Sequence, residues 1–562
     1  MAIADGHFYN LDELDVPPGQ SIFERLISLY RRYGFPNALT RINGDFAIAL
    51  FDQRTNILWL GRDRVGHRPL YYVNTEDAFV FCSQPRPLLV VPGISTEVNR
   101  RWVAVFAGSH YRYIDNESEE SPFSAVRQLP AASVLEVSGQ IHRQTHYWKL
   151  EPQTEFAEDE QTLALRYRDL LVDSVKRRLR VSKRPAFTLS GGMDSSSVLA
   201  CAVELTGEKQ DAFSSVYSDL TYDESADIKG FVREKVARWK PVLIEGFDLF
   251  NTVREMVRAH DEPVATATWL SHFLLCREVS ASNVSTLFGG LGGDELNAGE
   301  YEYFIFHFAD LKRGGDNERL MHEIREWSFH HDHPIYRKSV ETAERMLNRL
   351  TDSSAPGRVR VERDRMARYA RTVSRDYFDL GTFEPLHDHL FTSYLKNRTY
   401  QDIFRETAPC CLRAEDRNCT AWGLDHMDPF FDYRLMEFMF RVPGSMKIRD
   451  GITKRLLREA MKGILPEDTR TRVKKTGWNA PAHVWFSGKG MEHVLDLVHS
   501  RKFRERGVYD VSEVMRLIND HRLIVEKNLV RENHMMFIWQ LVNIELWFQE
   551  IVDRQSTTTL AA

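Results

Sequence analysis

Between Phe187 and Leu199 a short β-prone run enters a Ser190-Gly191-Gly192 turn, and Met193-Asp194-Ser195-Ser196-Ser197 then opens an apolar helix. Glycines let consecutive backbone N–H groups converge, and a helix start adds unpaired donors and the positive end of its dipole, so this stretch predicts an anion nest. Ser190, Ser195 and Ser196 add hydroxyl donors. Asp194 adds a carboxylate suited to Mg2+, which takes one or two protein carboxylates and otherwise keeps waters and phosphate oxygens. The combination points to ATP split so that pyrophosphate leaves with Mg2+. It is not the lysine-bearing P-loop, which transfers the γ-phosphate. A second cluster, Phe288-Gly289-Gly290-Leu291-Gly292-Gly293-Asp294-Glu295, again follows an apolar strand and ends in carboxylates. Asp194 and Asp294 are therefore the expected Mg2+ ligands, and Gly289 and Gly290 join Ser190, Gly191, Gly192, Ser195 and Ser196 as the expected ATP and pyrophosphate contacts.

Those loops need elements to carry them. From Gly44 to about Trp148 short β-prone runs alternate with turn signals, which predicts a sheet-rich domain over 1–150. The polar stretch from Glu151 to Glu160 is the natural linker, and Leu163, Tyr167, Leu170, Leu171, Val175 and Leu179 then share one helical face. Beyond it, strands at Ala186–Leu189, Ala212–Tyr217, Pro241–Ile244 and Ser285–Phe288 alternate with helices at Ser196–Leu205 and Asp227–Trp239. That order predicts a doubly wound parallel sheet in a second domain over 160–555, with a mostly helical C-terminal part from about Tyr301. Ligands of such a sheet sit at the carboxyl ends of strands, where Ser190 and Gly289 fall. The fold class is thus α/β, with an N-terminal α+β sandwich preceding the parallel sheet.

At 562 residues the chain is long enough for two cores. A formal charge of −6 gives no global basic field and argues against nucleic acid as a partner. The six cysteines lack CxxC pairs and the chain opens without an apolar signal region, so a reducing cytoplasm is expected. Cys410, Cys411 and Cys419 read as core residues. Met535 to Val552 is interrupted by Gln540, Asn543, Glu545 and Gln549 and reads as a buried helix, not a membrane span. His330-His331-Asp332-His333-Pro334 invites a metal reading, but the spacing fits a solvated turn better.

Together with the loop Arg472-Val473-Lys474-Lys475-Thr476-Gly477-Trp478 and the run Thr453-Lys454-Arg455-Leu456-Leu457-Arg458, the two glycine loops resemble the asparagine synthetase superfamily, whose ligase half carries an SGGxDS loop, a GxGxDE loop and a late basic loop. Asp261-Glu262-Pro263 and Glu415-Asp416-Arg417-Asn418 look like further family landmarks. Asp5-Gly6-His7, Asn43-Gly44-Asp45, the segment from Gly61 to Tyr71 and Gln128-Leu129-Pro130-Ala131 resemble the family's glutaminase domain, an N-terminal-nucleophile amidohydrolase fold, here degenerate and truncated. The resemblance implies that a substrate carboxylate attacks the α-phosphate of ATP to give an acyl-adenylate and that an amine then displaces AMP. Lys475, or its neighbour Lys474, would act catalytically by neutralising charge on the phosphates and on the tetrahedral intermediate.

The departures narrow the expectation. Glutamine-hydrolysing members begin with a nucleophilic Cys after the initiator Met, whereas this chain begins Met1-Ala2-Ile3 and is expected to lack the strand that bears it. The family's Asn-Gly-Glu has become Asp5-Gly6-His7, and its Leu-Asp-Gly has become Ile42-Asn43-Gly44. A carboxylate in place of an oxyanion-hole amide repels the oxyanion, and one such donor is worth about 3 kcal/mol of barrier. The residue between the glycines of the second loop is Glu in asparagine synthetases and Tyr in the branch that closes β-lactam rings. Here it is Leu291, so either no base is needed there or a group such as His426 or Glu262 serves. Asp425-His426-Met427-Asp428-Pro429 stands where asparagine synthetases tend to have Glu-Ala-Arg-x-Pro, which implies a remodelled acceptor pocket.

The expectation is an AMP-forming amide ligase using ATP and Mg2+ to join a small-molecule or peptide carboxylate to an amine, in the manner of β-lactam synthetases and lasso-peptide cyclases in specialised metabolism. A homodimer or a biosynthetic partner protein fits that setting. The alternatives are an ammonia-dependent or partner-fed asparagine synthetase, which Leu291 disfavours, and a non-catalytic scaffold, which the retained Asp194 and Asp294 disfavour. A tRNA-modifying enzyme is disfavoured by the missing basic field.

Overall fold

The N-terminal strands are β1 (Ala2–Phe8), β2 (Gly44–Asp52), β3 (Ile57–Arg62), β4 (Tyr71–Asn74), β5 (Phe79–Cys82), β6 (Arg127–Gln128), β7 (Ser133–Ser138) and β8 (Ile141–His146). In this computed structural model, which describes residues 1–16, 21–331, 337–473 and 480–554, they form two antiparallel sheets, ordered β1-β2-β3-β7-β8 and β5-β4-β6. The period of two in β2 explains the layering. Phe46, Ile48 and Leu50 point to the helices Ile22–Tyr33 and Phe35–Arg41, while Ala47 and Ala49 point to the cleft between the sheets with Leu60, Tyr72 and Leu135. Small residues in that cleft let the second sheet approach closely.

In the second part β9 (Pro185–Thr188), β10 (Gln210–Val216), β11 (Val236–Leu243), β12 (Thr286–Phe288) and β13 (Asp425–Met427) form one parallel sheet ordered β11-β10-β9-β12-β13. Both faces are covered. Phe187, Phe288 and Met427 pack on one side with Val198 and Leu199 of the helix Met193–Thr206. Ala186, Leu287 and Phe213 pack on the other with Leu274, Leu275 and Cys276 of the helix Thr268–Ala281. The helix Glu160–Val181, capped by Asp159 on the Thr162 N–H, buries Leu163, Tyr167, Leu171 and Val175 as its periodicity requires. The α/β class, the parallel sheet and the helical C-terminal part are as the sequence implies.

Three local expectations differ. The helix expected over Asp227–Trp239 is Ser225–Lys235, and the strand expected to start at Pro241 begins at Val236. β11 is an edge strand that is largely exposed, so it shows no apolar period, and an edge tolerates Pro241 because one N–H is not needed. The sheet-rich region also holds the helix Arg100–Gly108, buried from Trp102 onward in the core that includes the C-terminal helix, so no polar face betrays it. Finally, His331 is not in a solvated turn. It is 8% exposed, packs on Phe304 and shares a 2.8 Å hydrogen bond with the Gly451 carbonyl. Asp332, His333 and Pro334 lie outside the described residues.

Cys410, Cys411 and Cys419 lie buried on the helix Thr407–Ala421, the first two in one core and the third in another, as the core-packing reading requires. The helix Met535–Trp547 is buried along its length, and among the described residues no helix is long and apolar enough to cross a membrane.

The two parts meet through buried polar groups. Arg68, from the loop between β3 and β4, reaches Asp416 at 3.0 Å and Asp425 at 3.1 Å. Asn43 donates to Asp432 at 3.0 Å, and the Tyr9 hydroxyl donates to Met427 Sδ at 3.3 Å. The linker residue Phe156 is also fixed, its N–H bonded to the Arg441 carbonyl at 2.9 Å.

Candidate active site

Strand β9 delivers Ser190 to the carboxyl edge of the sheet, where the chain turns into the helix Met193–Thr206 with Gly192 as an N-cap that has no side-chain partner. The turn is internally braced. Ser190 Oγ lies 3.0 Å from Ser195 Oγ, the Ser190 N–H donates to Ser195 Oγ at 3.2 Å, and the Gly192 N–H donates to Ser190 Oγ at 3.2 Å. The Gly191 N–H donates to the Glu224 carboxylate at 3.0 Å, so a carboxylate oxygen already occupies one position of the nest that a phosphate oxygen would take. Ser196 is buried in the first turn, 1% exposed.

The second loop leaves β12 at Gly289 and opens the helix Gly293–Asn297, with Asp294 and Glu295 in its first turn. Its glycines are needed for contact between the loops. A Cβ on Gly290 would lie 2.5 Å from the Ser195 nitrogen, and one on Gly293 would lie 2.5 Å from an Asp194 carboxylate oxygen. Gly292 adopts φ 86°, the left-handed region that glycine enters without a steric cost. The two loops therefore pack backbone against backbone and bring Asp194 and Asp294 to one place.

Lys454 occupies that place. Its ammonium contacts the Asp194 carboxylate and lies 2.7 Å from Asp294 Oδ1. The residue is itself in the left-handed region, φ 58°, at the N-terminus of the helix Arg455–Ala460, and is 5% exposed. A single cation thus bridges two carboxylates that approach from two strand ends, which is the donor arrangement a hard divalent cation requires. Burial, then the neighbouring Asp294 charge, pushes the Glu295 carboxyl up to about 8. Glu295 therefore stays largely protonated at neutral pH.

Lys474 and Lys475 lie outside the described residues. Two residues earlier, Arg472 donates to the Gly191 carbonyl at 2.9 Å and to the Asp227 carbonyl at 2.6 Å. Sequence reading named Lys454 and Arg472 only as parts of basic runs. The signal for Lys454 was its place two residues before a Leu-Leu pair in a run that matched the family, and nothing in the run itself showed which of its three cations turns inward.

The two groups considered as substitutes for the base absent at Leu291 are both engaged. Glu262 is 5% exposed and held by Arg413, which also binds Asp115 at 2.5 Å. His426 is 2% exposed, with Nδ1 3.0 Å from Asp428 and Nε2 3.5 Å from Asp416. Leu291 packs half-buried against apolar residues of two cores.

Comparison with known proteins agrees with this geometry. The asparagine synthase family model matches residues 166–549, and a glutamine amidotransferase domain model matches 16–148. Asparagine synthetase [glutamine-hydrolyzing] 3 of Bacillus subtilis is 26% identical over 526 residues, covering 89% of this chain and 78% of its own length. Asparagine synthetase [glutamine-hydrolyzing] 1 of the same organism is 24% identical, covering 96% and 83%. Amidase chyE of Penicillium rubens is 24% identical over 88% of this chain and 77% of its own. Among solved structures, the glutamine phosphoribosylpyrophosphate amidotransferase of Bacillus subtilis matches at 13% identity and a TM-score of 0.18, over 43% of this chain and 60% of that one. With more than half its length matched by one family model and the two glycine loops converging on Asp194, Asp294 and Lys454, the chain belongs to the asparagine synthase family.

Proposed function

We propose that this protein is an AMP-forming carbon–nitrogen ligase that adenylates a substrate carboxylate with ATP and joins the acyl group to an amine in the biosynthesis of a specialised metabolite or peptide. The observation that carries the reading is the convergence of Asp194, Asp294 and Lys454 between the two glycine loops. Gly191, Gly192, Ser190 and Ser195 hold the departing pyrophosphate, with Gly289 and Gly290 forming the opposite wall. Asp194 and Asp294 would hold Mg2+, which supplies charge neutralisation on the phosphates when bound. Lys454 then faces the same oxygens, and Lys475 with Lys474 supplies further positive charge from the basic loop. Only interactions that strengthen as charge builds on those oxygens lower the barrier.

The amine comes from the substrate and not from glutamine hydrolysed by the N-terminal sandwich. Asp5, exposed on β1 opposite Ala47, brings a carboxylate where the family places an amide. Leu291, packed against apolar neighbours, offers no proton acceptor for free ammonia. When both reacting groups belong to one substrate, ring closure is effectively unimolecular, an advantage of up to about 10⁵–10⁸ M in effective molarity.

The test is pyrophosphate release from ATP by the purified chain with candidate acids, with separate arms containing aspartate plus ammonia and glutamine. Release that needs an amino-acid-like acid other than aspartate, and is abolished in Asp194→Asn and Asp294→Asn, supports the proposal. Asparagine formed from aspartate and ammonia at a comparable rate would replace it with an ammonia-dependent asparagine synthetase, and glutamate released from glutamine would overturn the nitrogen assignment.

A further inference from the structure

Beneath Gly289, on the side of the loop away from Asp194, lies a second cluster that the ligase reading does not use. Glu415 Oε1 and Asp428 Oδ1 flank the position a Gly289 Cβ would take, at 3.1 and 3.2 Å. Glu415, His426 and Asp428 each bring one donor atom to within 4.8 Å of the other two, and all three side chains are buried, 5%, 2% and 0% exposed. Glu415 Oε2, Asp428 Oδ1 and His426 Nε2 have no hydrogen-bond partner. Leaving such atoms unmet costs about 1–3 kcal/mol each, more where charged.

Two imidazoles meet at Asp428 in this cluster. His426 turns Nε2 toward Asp416, 3.5 Å away, and Nδ1 toward Asp428 Oδ2, 3.0 Å away. His67, from the N-terminal part and 1% exposed, turns Nδ1 toward Asp45 at 3.4 Å and Nε2 toward the same Asp428 Oδ2 at 3.7 Å. Neither nitrogen of His67 makes a hydrogen bond. His67 thus has a carboxylate beside Nδ1 and turns its unbonded Nε2 toward Asp428, the carboxylate–histidine pattern that fixes tautomer and raises ligand basicity, while His426 Nδ1 is bonded to the same Asp428 oxygen. Asp416 is in turn fixed by Arg68. Ligands about 2.0–2.1 Å from a tetrahedral zinc are separated by roughly 3.3 Å, and the two nitrogen–oxygen distances lie on either side of that value.

We propose that Glu415, His426 and Asp428, with His67 closing the set, hold a divalent transition-metal ion of the zinc class at the interface of the two parts. The mix of nitrogen and oxygen donors suits zinc better than Mg2+, which demands oxygen ligands and keeps its waters. The ion ties the loop after β3 to the end of β13 and supports the floor of the second glycine loop. It is separate from the Mg2+ ligands and independent of ATP.

The full-length chain is purified, stripped with a chelator and dialysed against excess Mg2+, and zinc uptake is followed by elemental analysis and melting temperature. The stripped protein should melt lower, take up one zinc ion per chain and recover its melting temperature, with Mg2+ unable to substitute. His67→Gln and Asp428→Asn should weaken zinc binding at least about tenfold, the scale at which even outer-shell partners act, whereas Asp194→Asn should not. The wild-type measurement stands even if a variant fails to fold. Stripped wild-type protein that neither binds zinc nor gains stability from it overturns the proposal and leaves the cluster held by shared protons. Zinc lost from Cys276→Ser or Cys419→Ser but kept by Asp428→Asn also overturns it, since those buried thiols stand 3.8 Å apart beside His272 and would be the site instead.

Discussion

Replacing Gly290 by alanine tests whether the two glycine loops work by direct backbone contact. The added Cβ would lie 2.5 Å from the Ser195 nitrogen and 2.9 Å from the Asp194 carbonyl carbon, and neither is the end of a flexible side chain. An ordinary contact near 3.5 Å requires the loops to separate by about 1 Å. That separation moves Asp294 away from Asp194 and widens the gap Lys454 spans. A displacement of about 1 Å in a positioned group costs about 10²-fold in rate, or about 2.7 kcal/mol of barrier. Overpacking of this kind also destabilises by about 1–3 kcal/mol, so the melting temperature should fall by a few degrees while the chain still folds. The assay is kcat/KM for pyrophosphate release, read beside a melting curve. Gly444→Ala is the control, because its Cβ would meet Leu395 at an ordinary 3.4 Å, and it should leave both readings within about 0.5 kcal/mol. Wild-type kcat/KM in Gly290→Ala would refute the argument that close approach of the loops sets the geometry.

Lys454→Met should lower kcat/KM by about 10²-fold or more and should make the melting temperature rise more steeply with Mg2+ than in the wild type, since Asp194 and Asp294 then lack the ammonium that bridges them; an unchanged Mg2+ response would remove Lys454 from the phosphate site. Burial holds His307 down to about 3, against an ordinary value near 6.5. The unfolded chain therefore binds a proton that the folded chain refuses, and stability present above pH 6.5 is lost as the pH falls toward 3, by about 2 kcal/mol at pH 5. His307→Leu should relieve that loss, seen as a smaller drop in melting temperature between pH 7 and pH 5, and equal drops in the two proteins would contradict it.

What the sequence disclosed about the fold follows from which segments carry a periodic apolar pattern. The helix Glu160–Val181 and the strands β9 and β12 are buried on the faces their residues imply. β11 gave no such pattern because it lies at the sheet edge with most of its side chains in solvent, and its identity comes from hydrogen bonding to β10 rather than from its own composition. The helix Arg100–Gly108 was hidden for the opposite reason, since every residue from Trp102 is buried and no polar face marks its turn.

The same distinction governs the site. Both glycine loops were legible because the donors, the turn glycines and the carboxylate that follows are contiguous, so one short window holds the chemistry. Lys454 is 260 positions from Asp194, and Arg472 is 281 from Gly191. Their roles arise only when the parallel sheet has set two strand ends side by side and the helices after β13 have returned over them. Within Thr453–Arg458 the cations differ by environment, not by type: Lys454 turns to the carboxylates, while Arg458 donates to the backbone carbonyls of Thr453 and Arg470. His67 and Asp428 are a stronger case, because each is an ordinary residue in its own segment and their pairing requires the N-terminal sandwich to dock on β13. The buried bonds of Arg68, Asn43 and Tyr9 across that interface, to Asp416, Asp432 and Met427, hold the N-terminal sandwich against the strand end beneath Gly289.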